Sequence, residues 1–191
     1  MSIQIILILG GGVGGIVLAN ELRHMLPQEH KVVLVERQSE HAFAPSFLWL
    51  MIGDRQAEQI RRPIRTLVRP GVELIHDEVT DIDIANRRVT TTAQSLSYDH
   101  LIIALGAELA PELIPGLSEG TFSFYTFEGT KQLGQTLGTF RGGNIALVVA
   151  AVPYKRPGAP HEAAMLLANF FRKRGVNVRI DLYTPEPQPM L

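Results

Sequence analysis

The sequence predicts an α/β fold with a parallel sheet made from βαβ units, and three observations predict it. Residues 3–9 are a nearly continuous run of branched aliphatics, the pattern of a parallel strand buried on both faces, and the run ends in a glycine cluster. An amphipathic stretch follows from Val13, and residues 31–36 return as a second apolar strand that closes on an acid. The same order of strand, helix and strand recurs about 140 residues further on, so the chain carries two such units.

The first helix is expected from Val13, with Ile16, Val17, Leu22, Met25 and Leu26 on one face and Pro27 closing it. An irregular aromatic and proline segment covers 41–53, then an arginine-bearing stretch covers 55–69. Within that stretch Pro63 starts a short helix that turns Ile64, Leu67 and Val68 inward. Residues 71–83 read as two short strands, and 87–92 and 98–105 as two more, the last closed by Gly106. Two prolines and two glycines at 111–120 mark a boundary. Beyond it come a strand at 144–150, a helix at 161–174 capped by Gly175, a strand at 177–183 and a proline-rich exit at 184–191. The expected organisation is a first nucleotide-binding domain at 1–110, a linker at 111–120 and a partial second domain at 121–191. A complete second domain would need further strands, so the chain is expected to be part of a longer protein.

Composition narrows the function. At 191 residues and 46% hydrophobic the chain is long enough for one domain and a fraction, with a substantial core. Acidic and basic residues number 19 and 18, for a net charge of −1, which argues against a general nucleic-acid binder or a polybasic membrane-surface protein. The absence of cysteine excludes a disulfide scaffold, a thiolate metal site, an iron–sulfur cluster and redox chemistry on this chain's own thiols. The N-terminus lacks a basic region, and no apolar run approaches the roughly 18 residues that span a bilayer.

Gly10-Gly11-Gly12-Val13-Gly14-Gly15 satisfies G-x-G-x-x-G after a strand and at the opening of a helix, and Glu36 stands at the end of the next strand. This is a Rossmann-like arrangement for a dinucleotide. Gly10 allows the tight turn, Gly12 lets a pyrophosphate reach the backbone, and Gly15 lets the helix pack on the strand. Glu36 would accept hydrogen bonds from a ribose 2′-hydroxyl and repel a 2′-phosphate. The competing reading is a glycine-rich turn that binds nothing. In the second unit Ala150 is expected at the place of Gly10, Val152 at that of Gly12 and Thr184 at that of Glu36, which disfavours a nicotinamide dinucleotide there.

Two βαβ units around a β-rich insert, together with residues 36–55, 98–107, 153–164 and the tail TPEPQPM, resemble the two-dinucleotide-binding flavoproteins. The segments are most similar to the branch of sulfide:quinone oxidoreductase and flavocytochrome c sulfide dehydrogenase. The resemblance implies an FAD/NAD(P)-binding fold with FAD on the first unit and a second site that no longer takes NAD. It places the FAD pyrophosphate at Gly10, Gly12, Val13, Gly14 and Gly15, the ribose at Glu36 and the adenine beside Arg37 and the backbone of Val79. Ala44 and Pro45 would run beside the flavin, and Ala104, Leu105, Gly106 and Ala107 form the family's Ala-Thr-Gly turn with Leu105 for threonine. It further implies a small-molecule electron donor, a quinone or haem acceptor, homo-oligomer formation, and a cytoplasmic or membrane-peripheral location with attachment through C-terminal segments.

The departure lies at Arg156, where the family places a redox cysteine, and at Val152, where related sequences carry another. Arginine cannot form a persulfide, so cysteine-based sulfide oxidation is not supported by this chain. Arg156 either attracts an anionic substrate or is a solvated loop residue. Two other functions stay open: an NAD-dependent enzyme using the Gly10 turn, and a non-catalytic scaffold. No catalytic residue or metal set is assigned; His24, His30, His41, His76 and His100 lack ligand spacing. His161 and Glu162 read as helix capping, Arg55, Arg61, Arg62, Arg65 and Arg69 as a solvated face, and Phe122, Phe124, Tyr125 and Phe127 as packing.

Overall fold

The computed structural model describes residues 2–187, so the last part of the proline-rich exit and of the TPEPQPM resemblance lies outside the described residues. In chain order the elements are β1 (Ile5–Leu9), α1 (Val13–Met25), β2 (Lys31–Glu36), β3 (Glu40–Ala42), α2 (Phe47–Met51), β4 (Arg61–Pro63), β5 (Val72–His76), β6 (Val79–Asp83), β7 (Arg88–Thr91), β8 (Ser95–Ser97) and β9 (His100–Ile103). Then follow α3 (Leu117–Gly120), α4 (Phe127–Thr139), β10 (Gly143–Val148), α5 (Ala159–Lys173) and β11 (Val178–Tyr183). The chain forms two compact units, Met1–Ala42 with Arg61–Leu109 and Phe43–Ile60 with Ala110–Leu191.

The first unit is a parallel sheet in the order β5-β2-β1-β9, covered on each face by a different layer. Alternation along the strands decides which side chain meets which layer. Ile6 and Ile8 of β1 and Val32 and Leu34 of β2 pack with Ile16 and Ala19 of α1. Leu7, Leu9, Val33 and Val35 pack with Val89 and Tyr98 of the β-rich insert, where β6, β7 and β8 form an antiparallel sheet. The helix departs from expectation in its buried face. Val17 and Met25 are 54% and 73% exposed, while Ala19 and Arg23 are buried. A small residue and a long polar one win these positions because Ala19 allows close approach to the sheet, and Arg23 donates to the carbonyls of Leu26, Pro27 and His30. Leu26 is the C-cap of α1, and Pro27 and His30 lie in the loop beyond it, so the guanidinium ties the end of the helix to the turn that leads into β2. Pro63 does precede a short turn, Ile64–Thr66, with Ile64 fully buried.

In the second unit β10 and β11 pair in parallel, and α5 packs against both. Residues 43–60, expected within a continuous first domain, belong here, because Leu48 and Met51 of α2 are buried among Leu137, Leu147, Leu167 and Phe171. The expected linker at 111–120 holds a turn at Pro111–Leu113 and the short α3. Helix α4 escapes sequence reading, since its three glycines and three threonines are poor helix formers. Its N-cap Thr126 accepts from the Gly129 amide, and a Cβ on Gly134 would stand 3.1 Å from the Met51 carbonyl, so the glycine lets α4 lie close to α2. No helix among the described residues is long and apolar enough to cross a membrane, and no cluster of metal-ligating side chains occurs among them.

Candidate nucleotide-binding site

The four motif glycines divide into two pairs with different physical demands. Gly10 has φ +101°, and a Cβ there would meet the Ala104 carbonyl oxygen at 2.4 Å. A Cβ on Gly15 would stand 1.8 Å from the Gly10 carbonyl oxygen. Packing therefore requires both residues to be glycine. Around Gly12 and Gly14, by contrast, a Cβ would find nothing within 4 Å, so the packing of the chain makes no demand for glycine at either. They border open space where α1 begins, with no acidic residue in its first turn. The first-turn amides and the helix dipole are suited to a phosphate approaching from that side. The residues present fit a dinucleotide pyrophosphate.

Glu36 folds back onto the turn. Its Oε2 accepts from the Gly11 amide at 2.5 Å and its Oε1 from the Gln38 amide at 2.7 Å. A Cβ on Gly11 would meet the Glu36 Cγ at 2.8 Å, so Gly11 belongs to the machinery although the motif leaves that position free. No local pattern in the sequence could have shown this, since the contact spans 25 positions. Arg37 forms an ion pair with Glu78 at 3.0 Å, and the Glu78 carboxylate holds its guanidinium still more firmly protonated. Glu78 also escapes sequence reading; it precedes Val79, which opens β6 and lies half-buried on the insert core. The turn after β9 lies against Gly10: the Ala104 amide donates to Leu9 at 2.8 Å, Leu105 is exposed, and Gly106 has φ +77° with open space around it. Ala107 completes the turn.

Ala44 and Pro45 fall in the other compact unit, where they line a concave pocket of about 320 Å³ with Phe124, Tyr125 and Arg156. The second βαβ also corrects an expected equivalence. The Gly10 amide donates to Val35 just beyond the Leu9↔Val35 pair, and the Val149 amide donates to Tyr183 just beyond Val148↔Tyr183. Val149, not Ala150, therefore stands at the place of Gly10, and Ala151, not Val152, at that of Gly12, because β10 ends at Val148. Thr184 keeps the expected place of Glu36. Helix α5 begins at Ala159, two residues before the expected start, with Glu162 in its first turn.

A family model described as "Pyridine nucleotide-disulphide oxidoreductase" matches residues 4–182, across both units. The chain belongs to the pyridine nucleotide-disulphide oxidoreductase family. Members of this family are FAD-binding flavoproteins, in agreement with the cofactor expected from the sequence. Among the relatives is the mitochondrial sulfide:quinone oxidoreductase of Mus musculus, 31% identical over 180 residues, which cover 89% of this chain and 39% of the relative. The demethylphylloquinone reductase NdbB of Synechocystis is 34% identical over 69% of this chain and 35% of its own length. The crystal structure of the sulfide:quinone oxidoreductase of Aquifex aeolicus superposes with a TM-score of 0.85 at 29% identity, over 96% of this chain and 44% of that one. This pyridine nucleotide-disulphide oxidoreductase chain thus spans about two-fifths of the length of the relatives it matches. Its α/β architecture with a parallel sheet is that of the family's FAD/NAD(P)-binding fold.

Proposed function

We propose that this chain supplies the FAD-binding turn of an oxidoreductase of the sulfide:quinone type, which passes electrons from a small-molecule donor to a quinone. The supporting observation is the division of the motif glycines, with Gly10 and Gly15 closed by packing and Gly12 and Gly14 open to a ligand. When bound, FAD supplies the capacity to accept and release two electrons. The chain's residues provide its seat. Gly12 and Gly14 admit the pyrophosphate to the start of α1, with Gly10, Val13 and Gly15 shaping the turn. Glu36, fixed by the Gly11 and Gln38 amides, keeps lone pairs for the ribose hydroxyls and repels a 2′-phosphate. Arg37, steadied by Glu78, and the backbone of Val79 border the adenine, while Ala104, Leu105, Gly106 and Ala107 line the turn beside Gly10. Ala44 and Pro45 border the flavin. With no cysteine in the chain, there is no disulfide here for a sulfur nucleophile to attack.

The test is reconstitution with FAD, removal of free flavin and measurement of the retained visible absorbance. Retention by the native chain and its loss in a folded Gly12→Val variant supports the reading. Equal retention in both shows that the turn is purely structural, and nucleotide binding without colour supports NAD at the Gly10 turn instead.

A further inference from the structure

We propose that Glu78 sets the nucleotide selectivity of the Gly10 turn: by holding the Arg37 guanidinium it withholds the cation beside Glu36 that could compensate a 2′-phosphate, and the turn takes adenine dinucleotides with a free ribose 2′-hydroxyl. The inference rests on the reading of this turn as a dinucleotide seat and adds to it a positioning residue that acts through another side chain. The sequence leaves the matter open, because Glu36 and Arg37 stand next to each other at the end of β2. At that place an acid accepts from a 2′-hydroxyl, whereas an arginine nearby accommodates a 2′-phosphate, so the chain carries the signals for both nucleotides. The structure separates them. Glu36 is turned onto the Gly11 and Gln38 amides, and the Arg37 Nη1 donates to the Glu78 Oε1 at 3.0 Å.

Glu78 is itself held in place. Its amide donates to the Asp77 carboxylate at 2.8 Å and its carbonyl accepts from the Thr92 amide at 3.0 Å, while the Asp77 amide donates to the Glu36 carbonyl at 3.2 Å. The entry to β6 is thereby tied both to the insert and to the end of β2, and the Glu78 carboxylate reaches Arg37 across 41 positions of sequence. The two side chains are 56% and 53% exposed, so the pair contributes little to stability, and its consequence is where it leaves the guanidinium. Glu78 acts on the Arg37 charge most strongly, followed by Glu108 and Glu36, so carboxylates outnumber the cation beside the ribose acid. A 2′-phosphate entering here would meet these acids while the Arg37 fork, which could otherwise grip it in a bidentate pair, is engaged with Glu78.

The flavin-free chain is titrated with NADH and NADPH by calorimetry, and FAD retention is measured on separate samples. The native chain should bind NADPH more weakly than NADH, and Gly12→Val should abolish both, which locates the binding at the turn. Glu78→Gln should raise the ratio of NADPH to NADH affinity about tenfold, the scale of one charge-assisted hydrogen bond at a screened site. Combining Arg37→Gln with Glu78→Gln should remove that gain, because the released cation is what produces it. A ratio that Glu78→Gln leaves unchanged overturns the inference. So does a ratio that rises equally in the double variant, where only the loss of a negative charge is at work, or NADH binding that survives Gly12→Val and so lies outside the turn. Undetectable NADH binding overturns it as well: with FAD retained this inference fails alone, and without FAD the dinucleotide reading fails with it.

Discussion

The two βαβ units begin alike and diverge at one point. In each, a strand pairs in parallel with its partner, and the first amide past the strand donates to the partner strand at 2.8 Å, from Gly10 in one unit and from Val149 in the other. The first chain then reaches its helix through Gly10–Gly12 alone. The second needs residues 149–158, a stretch without glycine until Gly158 and with prolines at 153 and 157. Strand pairing and helix packing survive this change, because they rest on aliphatic side chains that both units possess. A cradle for phosphate needs backbone exposed without Cβ atoms at the end of the strand, a demand that Val149 and Ala151 do not meet. The fold and the site are therefore separable properties of the same topology.

The largest effect is expected where both properties meet. Gly15→Ala drives a Cβ into the Gly10 carbonyl and should cost about 3 kcal/mol or more in denaturant unfolding of the first unit. Ala151→Gly, at the corresponding turn of the second unit, should change stability by no more than about 1 kcal/mol and should create no affinity for dinucleotide, which isothermal titration would read. Next comes Gly12→Val, which should reduce FAD affinity about a hundredfold or more while the unfolding midpoint stays nearly constant. If its stability fell as far as that of Gly15→Ala, the division between closed and open glycines would be wrong.

A smaller effect concerns acid. The Thr91 and Thr92 hydroxyls beside Asp77, with the Glu78 and Ala93 amides, hold its carboxyl well below the usual carboxylate range. A depressed carboxyl stabilises the fold above its unfolded pKa, near 3.8, and this stability drains away as pH falls below that value toward the folded one. Asp77→Asn should accordingly flatten the pH dependence of unfolding below about pH 4 and leave the neutral pH range with a constant deficit. An unaltered acid slope would show that other carboxyls carry it. The smallest effect belongs to Arg37→Gln. Its pair with Glu78 is half-exposed, so stability should move by less than about 1 kcal/mol. Binding of NADPH to the flavin-free chain as tightly as NADH would contradict the repulsion of a 2′-phosphate given to Glu36 more sharply than any of these variants.

Legibility in the sequence followed the range of the interactions. The strands 31–36 and 178–183 and the turn at Gly10 are written in adjacent residues and read correctly to within a residue or two. Arg23 reads as a polar helix residue because nothing nearby announces the three carbonyls it meets. Helix α4 hides behind Gly129, Gly134 and Gly138; close packing against Ser123 and Met51 accounts for the first two, and nothing in the structure explains the third. Of the aromatic residues expected in core or interdomain packing, Phe122 is 49% exposed while Phe124 packs inside, a difference that alternation alone could not assign. Ala44 and Pro45 look continuous with the first domain, since only the burial of Leu48 and Met51 against distant helices shows which unit holds them.

The pairing of β3 with β4 has a consequence for how such a chain can be edited. The ladder closes on Ala42↔Arg61, and the Phe43 amide donates to the Ile60 carbonyl at 2.8 Å, so the chain leaves the first unit and re-enters it at hydrogen-bonded neighbours. The whole Phe43–Ile60 excursion is thereby a cassette with matched ends. Replacing it by a short hairpin turn would leave every strand of the first unit in register, and a sequence inserted between the same ends could be exchanged without redrawing that sheet. Recombination at this position would change what the second unit contains and spare the nucleotide turn.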